Sequence, residues 1–307
     1  MTIVDPCTAG DPDQDGVLGT NLSRSQIAHE LGQLGFRVSV TVVAQLLKRH
    51  RLGRRKARKT LPLGCHPCRH RQFEIIAHYR DEFMNSPDPI IRVDTKHKEF
   101  LGLLFRIGRL YTRHARKALD HDFPSAALGV IYPHGFYDLK RNLGHLNLGL
   151  SHDTSRFACD SIAYWWETHG RPAYPDARRM LLLCDGGGSN ASNRYVFQYH
   201  LERLADRIGL ELRLIHYPPY CSKYNPIEHR LFPHITRACQ GLLLTSLEVA
   251  VTAMRKTSTK KGLKTTVHVL SGDDPLKEGY PEEYRETMKI RFDEELPTWN
   301  YRAIPAK

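Results

Sequence analysis

Residues 180–190 read Met-Leu-Leu-Leu-Cys-Asp-Gly-Gly-Gly-Ser-Asn. The apolar run 180–184, bounded by charge on one side and glycine on the other, predicts a central buried strand that ends at Asp185, because a half-solvated strand would alternate. Working outward, Phe197, Leu201, Leu204 and Ile208 recur at helical spacing until Gly209, and residues 210–216 return as a strand. Upstream, Asp153 or Thr154 opens a helix carrying Ala158, Ile162, Trp165 and His169 on one face, closed by Gly170 and Pro172. Residues 90–93 form a short β-branched strand ending at Asp94; residues 99–105 and 127–132 are further strands, with Pro133-His134-Gly135 as a turn. Strand, helix, strand with crossovers predicts an α/β fold, a mixed sheet flanked by helices. From about Thr245 the chain mixes a helix with short strand-like and charged segments and carries no motif.

The amino-terminal part has a different character. Residues 1–22, rich in Asp, Gly and Pro, read as a flexible leader. Ser23 with Gln26 is a capping box, followed by Ile27, Leu31 and Leu34 at helical spacing and a stop at Gly35. Ser39 caps a second helix with Val42, Val43, Leu46, Leu47 and His50 on one stripe, so an all-α helix-turn-helix is expected. Directly behind it stand Lys48, Arg49, Arg51, Arg54, Arg55 and Lys56, a run that no protein core can neutralise and DNA phosphates can. The plainer alternative is a helical hairpin followed by a solvated linker. Residues 23–60 therefore form the helix-turn-helix with its basic tail, 61–88 a linker, and 89–307 the sheet region with its carboxy-terminal extension. Cys65, His66 and Cys68 look like half of a zinc site, but no second pair follows at finger spacing, so they belong to the linker.

Over 307 residues, 45 Lys and Arg stand against 33 Asp and Glu, a formal charge of +12, which points to a partner rich in phosphate. An apolar fraction of 41% supports a real core and excludes a disordered chain. The acidic amino terminus lacks signal-peptide layout, no stretch has the length of a membrane span, and seven scattered cysteines suggest reduced thiols; a cytoplasmic protein is expected.

Asp94 and Asp185 end apolar strands, where open α/β sheets place their sites. A third acid, Glu228, follows Asn225-Pro226, which can serve as N-cap and first helical residue and so fix Glu228 in a first turn. Three converging carboxylates repel one another, and hard divalent cations resolve that conflict. Two Mg²⁺ or Mn²⁺ ions held this way suit in-line phosphodiester displacement. Gly186-Gly187-Gly188 leaves no bulk beside Asp185, so a nucleic-acid backbone can approach; alternatively the run is only a strand-to-helix turn. Ala191 breaks the dinucleotide-binding glycine pattern and no Gly-Lys-Ser/Thr loop exists, which disfavours dinucleotide and nucleoside-triphosphate enzymes.

The strings VDTKHKEFLG (93–102), DHDFP (120–124), HGFYDL (134–139), HDTSRFACDSIAYWW (152–166), CDGGGSN (184–190) and YPPYCSKYNPIEHRLF (217–232) resemble the Rhodopirellula-type DDE transposases of insertion sequences. The resemblance runs from about Ser23 onward. It implies an RNase H-like catalytic domain, assigns Asp94, Asp185 and Glu228 to two divalent metals, and implies cleavage of element ends by water followed by attack of the freed 3′-hydroxyl on target DNA. The NPIE element is also similar to that of mariner-like transposases. Double-stranded DNA and a second copy of the chain are the expected partners, in a bacterial cytoplasm and on the nucleoid. Family members carry a further amino-terminal region, and usually Ser where Pro233 stands here. A shortened remnant that only binds DNA is thus one alternative, and a structure-selective nuclease without strand transfer another. Inside a helix Pro233 would remove a hydrogen bond and clash with the carbonyl of His229.

Lys223 and Arg230 flank Glu228 as candidate phosphate contacts, His229 less so. Lys96 and Lys98 can approach DNA or simply face solvent. Trp165 and Trp166 belong to packing rather than base stacking.

Overall fold

In the computed structural model, residues 8–10, 18–20, 22–55, 66–187, 194–221, 224–270 and 279–306 are described. The chain divides into two compact units, residues 1–61 and 62–307. In the first, Thr8–Gly10 (β1) and Leu18–Thr20 (β2) pair antiparallel, so the described part of the expected leader is a short ladder. Helices Arg24–Gln33 (α1) and Val40–Arg49 (α2) follow. Ser23 Oγ accepts from Gln26 N at 3.2 Å while Gln26 Oε1 accepts from Ser23 N at 2.8 Å, closing the capping box, and Ser39 Oγ accepts from Val42 N at 3.3 Å. Of the stripe expected on α2, only Val43 is buried; Val42 and Leu46 are exposed.

In the second unit, Arg69–Met84 forms α3 where the sequence suggested a linker. Ile75, Ile76 and Phe83 of α3 close a core cluster with Ile90, Leu181, Leu183, Ile215 and Tyr217. The apolar positions of α3 are sparse among His, Arg and Glu, so its amphipathic signal is weak and its fate is decided by the sheet it covers.

The sheet comprises Ile90–Thr95 (β3), Glu99–Leu101 (β4), Gly129–Asp138 (β5), Leu143–Gly149 (β6), Arg179–Cys184 (β7), Glu211–His216 (β8), Lys264–Leu270 (β9), Arg291–Phe292 (β10) and Asn300–Ala303 (β11). Its order is β10-β11-β8-β7-β3-β5-β6-β9, with β4 attached to β5. Strands β3, β7 and β8 run parallel, while β5 lies antiparallel to β3 and β6. This is a mixed sheet flanked by helices, as the sequence predicts.

One face is covered by Ser155–Trp165 (α4) and Tyr195–Ile208 (α6), whose Phe197, Leu201 and Leu204 meet Ile91, Val93 and Leu182. Thr154, not Asp153, caps α4, and Gly209, at φ 70°, ends α6. Trp165 and Trp166 are buried in this core, as expected of packing residues. The helix does not stop at Gly170: it widens into a π-turn over Trp166–Gly170 and continues as Arg171–Ala173 (α5), with Pro172 in a first turn where a missing N–H costs little. A Cβ at Gly170 would collide with the Trp166 ring, so packing explains that glycine. The other face carries α3 and then Ile227–Arg230 (α7), Phe232–Ala238 (α8) and Leu247–Arg255 (α9) over β5, β6 and β9. A short helix, Tyr284–Thr287 (α10), precedes β10.

Pro133-His134-Gly135 is no turn. Strand β5 runs straight through it, and β4 ends at Leu101 rather than residue 105. On one side β5 pairs β4 through residues 129–131 and β3 through 134–138. Pro133 accepts from Lys96 N at 2.9 Å on that side, so its imide nitrogen faces the junction between two partner strands, where no ladder bond is lost.

Candidate active site

Strands β3 and β7 pair in parallel as Ile90↔Leu181, Ile91↔Leu182, Arg92↔Leu183 and Val93↔Cys184. One step further, in the same register, Asp94 stands beside Asp185 on strands spaced about 4.8 Å apart. Alternation decides the face: Ile90, Leu181 and Leu183 lie in the core under α3, whereas Ile91, Val93, Leu182 and Cys184 lie in the opposite core. Asp94 and Asp185 therefore share the face covered by α3 and α7.

Glu228 arrives there because the sheet lets α7 come close. Gly135 is the β5 partner of Asp94. A Cβ on it would lie 2.5 Å from Phe232 and 3.2 Å from Ile227, and one on Gly144 would collide with Leu231. These two bare positions are the seat of the α7–α8 corner. Asn225, fully buried, donates from Nδ2 to Asp94 Oδ2 at 3.3 Å and accepts from Ile227 N at 3.4 Å, tying the start of α7 to the end of β3. Pro226 takes the cap position, one residue from the place the sequence suggested, and Glu228 is in the first turn. The helix breaks at Leu231, so Pro233 sits in the first turn of α8, and the break falls after Glu228.

The electrostatics record the convergence. Burial, then the charges of Asp185 and Glu228, push the Asp94 carboxyl up to about 8. Burial also raises Asp185, with Glu228 and Asp153 adding to it and a hydrogen bond from the Gly187 N–H opposing it. Asp94, Asp185 and Asp153 line a common cleft of about 320 Å³, which Glu228 does not line. Among the described residues no group of three or more Asp, Glu, His or Cys side chains is already gathered closely enough to hold a metal ion. The donor set fits a hard divalent cation: every converging side chain offers oxygen, and the raised Asp94 carboxyl marks negative charge that lacks compensation.

A second layer fixes these acids. His216 is fully buried and sits 3.0 Å by Nδ1 from the Asp185 carbonyl and 3.0 Å by Nε2 from the Tyr301 hydroxyl. Gln72 of α3 donates to the His216 carbonyl at 2.8 Å. Sequence reasoning missed Gln72, Tyr301, Gly135 and the bond from Asn225 to Asp94; the Trp-Asn-Tyr ending and the cut of α3 into a linker hid the first two.

The remaining candidates separate. Lys96 is partly buried and paired with Glu99, which also receives Arg106 at 2.5 Å. The Lys98 ammonium lies 5.3 Å over the Phe100 ring. Arg230 is exposed, with Nη1 3.4 Å from the Tyr137 hydroxyl, and His229 is exposed beside it. Lys48, Arg49, Arg51, Arg54 and Arg55 are exposed in the first unit. Lys56, Lys223, Cys65 and residues 188–190 lie outside the described residues. At Gly187 a Cβ would stand 3.8 Å from Asp185 Oδ2, against the carboxylate itself.

A family model described as the Rhodopirellula transposase DDE domain matches residues 1–305. The chain belongs to this transposase family. Among solved structures, this family member is similar to a Mos1 transposase paired-end complex with left transposon end, at 13% identity over 78% of this chain and 71% of that one, with a TM-score of 0.45. It is also similar to a Mos1 mariner paired end complex with Mn, at 17% identity over 74% and 64% of the chains with a TM-score of 0.43, and to a pre-cleavage Mos1 transpososome, at 15% identity over 78% and 71% with a TM-score of 0.44. No curated protein sequence matches the transposase. No helix among its described residues is long and apolar enough to cross a membrane.

Proposed function

We propose that the chain cleaves the ends of a DNA element and joins the freed 3′-hydroxyl strand to target DNA, with Asp94, Asp185 and Glu228 holding two Mg²⁺ or Mn²⁺ ions. The observation that carries this reading is the in-step register of β3 and β7, which sets Asp94 beside Asp185 on the face where α7 docks. Bound there, such ions supply activation of an attacking hydroxyl and stabilisation of a leaving oxygen in an in-line displacement. The chain's own residues do the rest. Asn225 orients Asp94, the His216 ring holds the carbonyl of Asp185, and Gly187 keeps the approach to Asp185 open. Because the α7–α8 break falls after Glu228, Pro233 leaves that residue in a docked turn, which favours an active enzyme over a binding-only remnant.

The helix-turn-helix of residues 23–60 would seat the element end, with Lys48, Arg49, Arg51, Arg54, Arg55 and Lys56 on phosphates, and Lys223 and Arg230 would contact the backbone near the cleavage point. Double-stranded DNA, a second copy of the chain and a cytoplasmic, nucleoid-associated setting complete the reading.

The test is a divalent-metal-dependent nicking and joining assay on element-end DNA. Replacing Asp185 with Ala should reduce both products to background. Nicking at the wild-type rate in that variant would remove the site assignment, and clean nicking by the wild type without joined strands would assign a nuclease instead.

A further inference from the structure

The string HDTSRFACDSI places Asp153 between β6 and α4, and its role is not exhausted by the helix behind it. An acid just ahead of a helix commonly serves that helix's first turn. Here Thr154 caps the helix, its Oγ1 accepting from Phe157 N at 3.1 Å. Asp153 also lines the cleft shared by Asp94 and Asp185, where Glu228 does not reach the lining. Thr95, the residue after Asp94, donates its hydroxyl to Asp153 Oδ1 at 3.3 Å, fixing the carboxylate against the end of β3. Its charge acts on both Asp94 and Asp185. It is only half-buried, and so remains accessible to a hydrated ion.

We infer that Asp153 is a fourth carboxylate of the site, a direct ligand for a divalent cation on the cleft side, opposite the contribution of Glu228 from α7. This rests on the metal-site reading above. Mg²⁺ and Mn²⁺ take oxygen ligands and usually retain water and substrate phosphate oxygens alongside one or two carboxylates. Three carboxylates lining the cleft, with Glu228 on α7 as the fourth, thus suffice for two ions with coordination positions left for DNA.

The experiment measures Mn²⁺ binding to the full chain without DNA, by the electron paramagnetic resonance signal of free Mn²⁺, with circular dichroism as the control for folding. Asp153→Asn keeps the size and an oxygen for Thr95 but removes the charge; it should weaken Mn²⁺ binding at least about tenfold, the scale on which carboxylate count tunes such sites. Asp153→Glu should retain most of the binding, and Thr95→Val should lose less than Asp153→Asn. Wild-type binding in Asp153→Asn, alongside lost binding in Asp185→Asn, overturns the inference and leaves the metal site standing. Equal losses in Thr95→Val and Asp153→Asn overturn it too, because Asp153 would then act only by holding Thr95. Wild-type binding in Asp185→Asn would bring down the metal-site reading itself.

Discussion

At the scale of single residues, burial decides charge. His145 of β6 is buried, with Nδ1 2.6 Å from Thr266 Oγ1 and its ring stacked on His169 at 4.2 Å. Burial, then the charges of His169 and Arg141, lowers its pKa from 6.5 to about 3. The unfolded chain therefore takes up this proton below pH 6.5 while the folded chain refuses it, so stability is full above that pH and is lost as pH falls. Asp94, raised to about 8, works in the opposite direction, which is why a difference measurement is needed. A His145→Gln variant, which keeps a partner for Thr266, should lose roughly 1.5 kcal/mol less than the wild type between pH 6.5 and 5, since the slope rises to its limit of 1.36 kcal/mol per pH unit only below the unfolded pKa. Urea unfolding at the two pH values reads this; parallel losses would show that the imidazole titrates freely in the fold. The same distinction between local and distant causes governs what the sequence reveals. Asp94 and Asp185 are legible because each punctuates an apolar run. The bond from Asn225 to Asp94 is not, since it joins positions that only the finished packing brings together.

At the scale of elements, local chemistry and tertiary context disagree in instructive places. Pro-His-Gly is turn chemistry, yet β5 passes through it because Pro133 meets the gap between β4 and β3 and Gly135 meets a helix rather than a bend. Strand β6, whose Gly144, His145, Asn147 and Gly149 are poor strand formers, holds its place by being paired on both sides, to β5 and β9. Capping, by contrast, is a local matter, and Ser23, Ser39 and Thr154 cap as their sequence contexts suggest. The seat of α7 supplies the prediction at this scale. Gly135→Ala puts a Cβ 2.5 Å from Phe232, and relief of such overpacking costs about 1–3 kcal/mol. The cheapest relief lifts the α7–α8 corner and carries Glu228 away from Asp94. Nicking should therefore fall at temperatures where denaturant curves show the variant still fully folded. A variant as active and as stable as the wild type would mean that the corner does not depend on this contact.

At the scale of the whole molecule, the question is where the catalytic unit begins. The apolar periodicity that reveals β7 and α6 is absent from residues 66–88, so sequence alone starts this unit at Pro89; compactness starts it at Pro62. The physical difference is α3. Ile75, Ile76 and Phe83 cover Ile90, Leu181, Leu183, Ile215 and Tyr217, and Gln72 bonds the His216 carbonyl and Asn300 Oδ1 at 2.8 and 2.9 Å. Removing α3 uncovers the face of β3, β7 and β8 that leads to both aspartates, an apolar area of the kind that soluble proteins do not leave open. A fragment of residues 62–307 should be soluble, unfold in one cooperative transition and bind Mn²⁺ as the full chain does, while binding DNA with a shallower salt dependence because the basic run of residues 48–59 is gone. A fragment of residues 89–307 should aggregate or bind a hydrophobic dye. If the shorter fragment were instead monomeric and cooperative, α3 would be an accessory to the catalytic unit rather than one wall of its core.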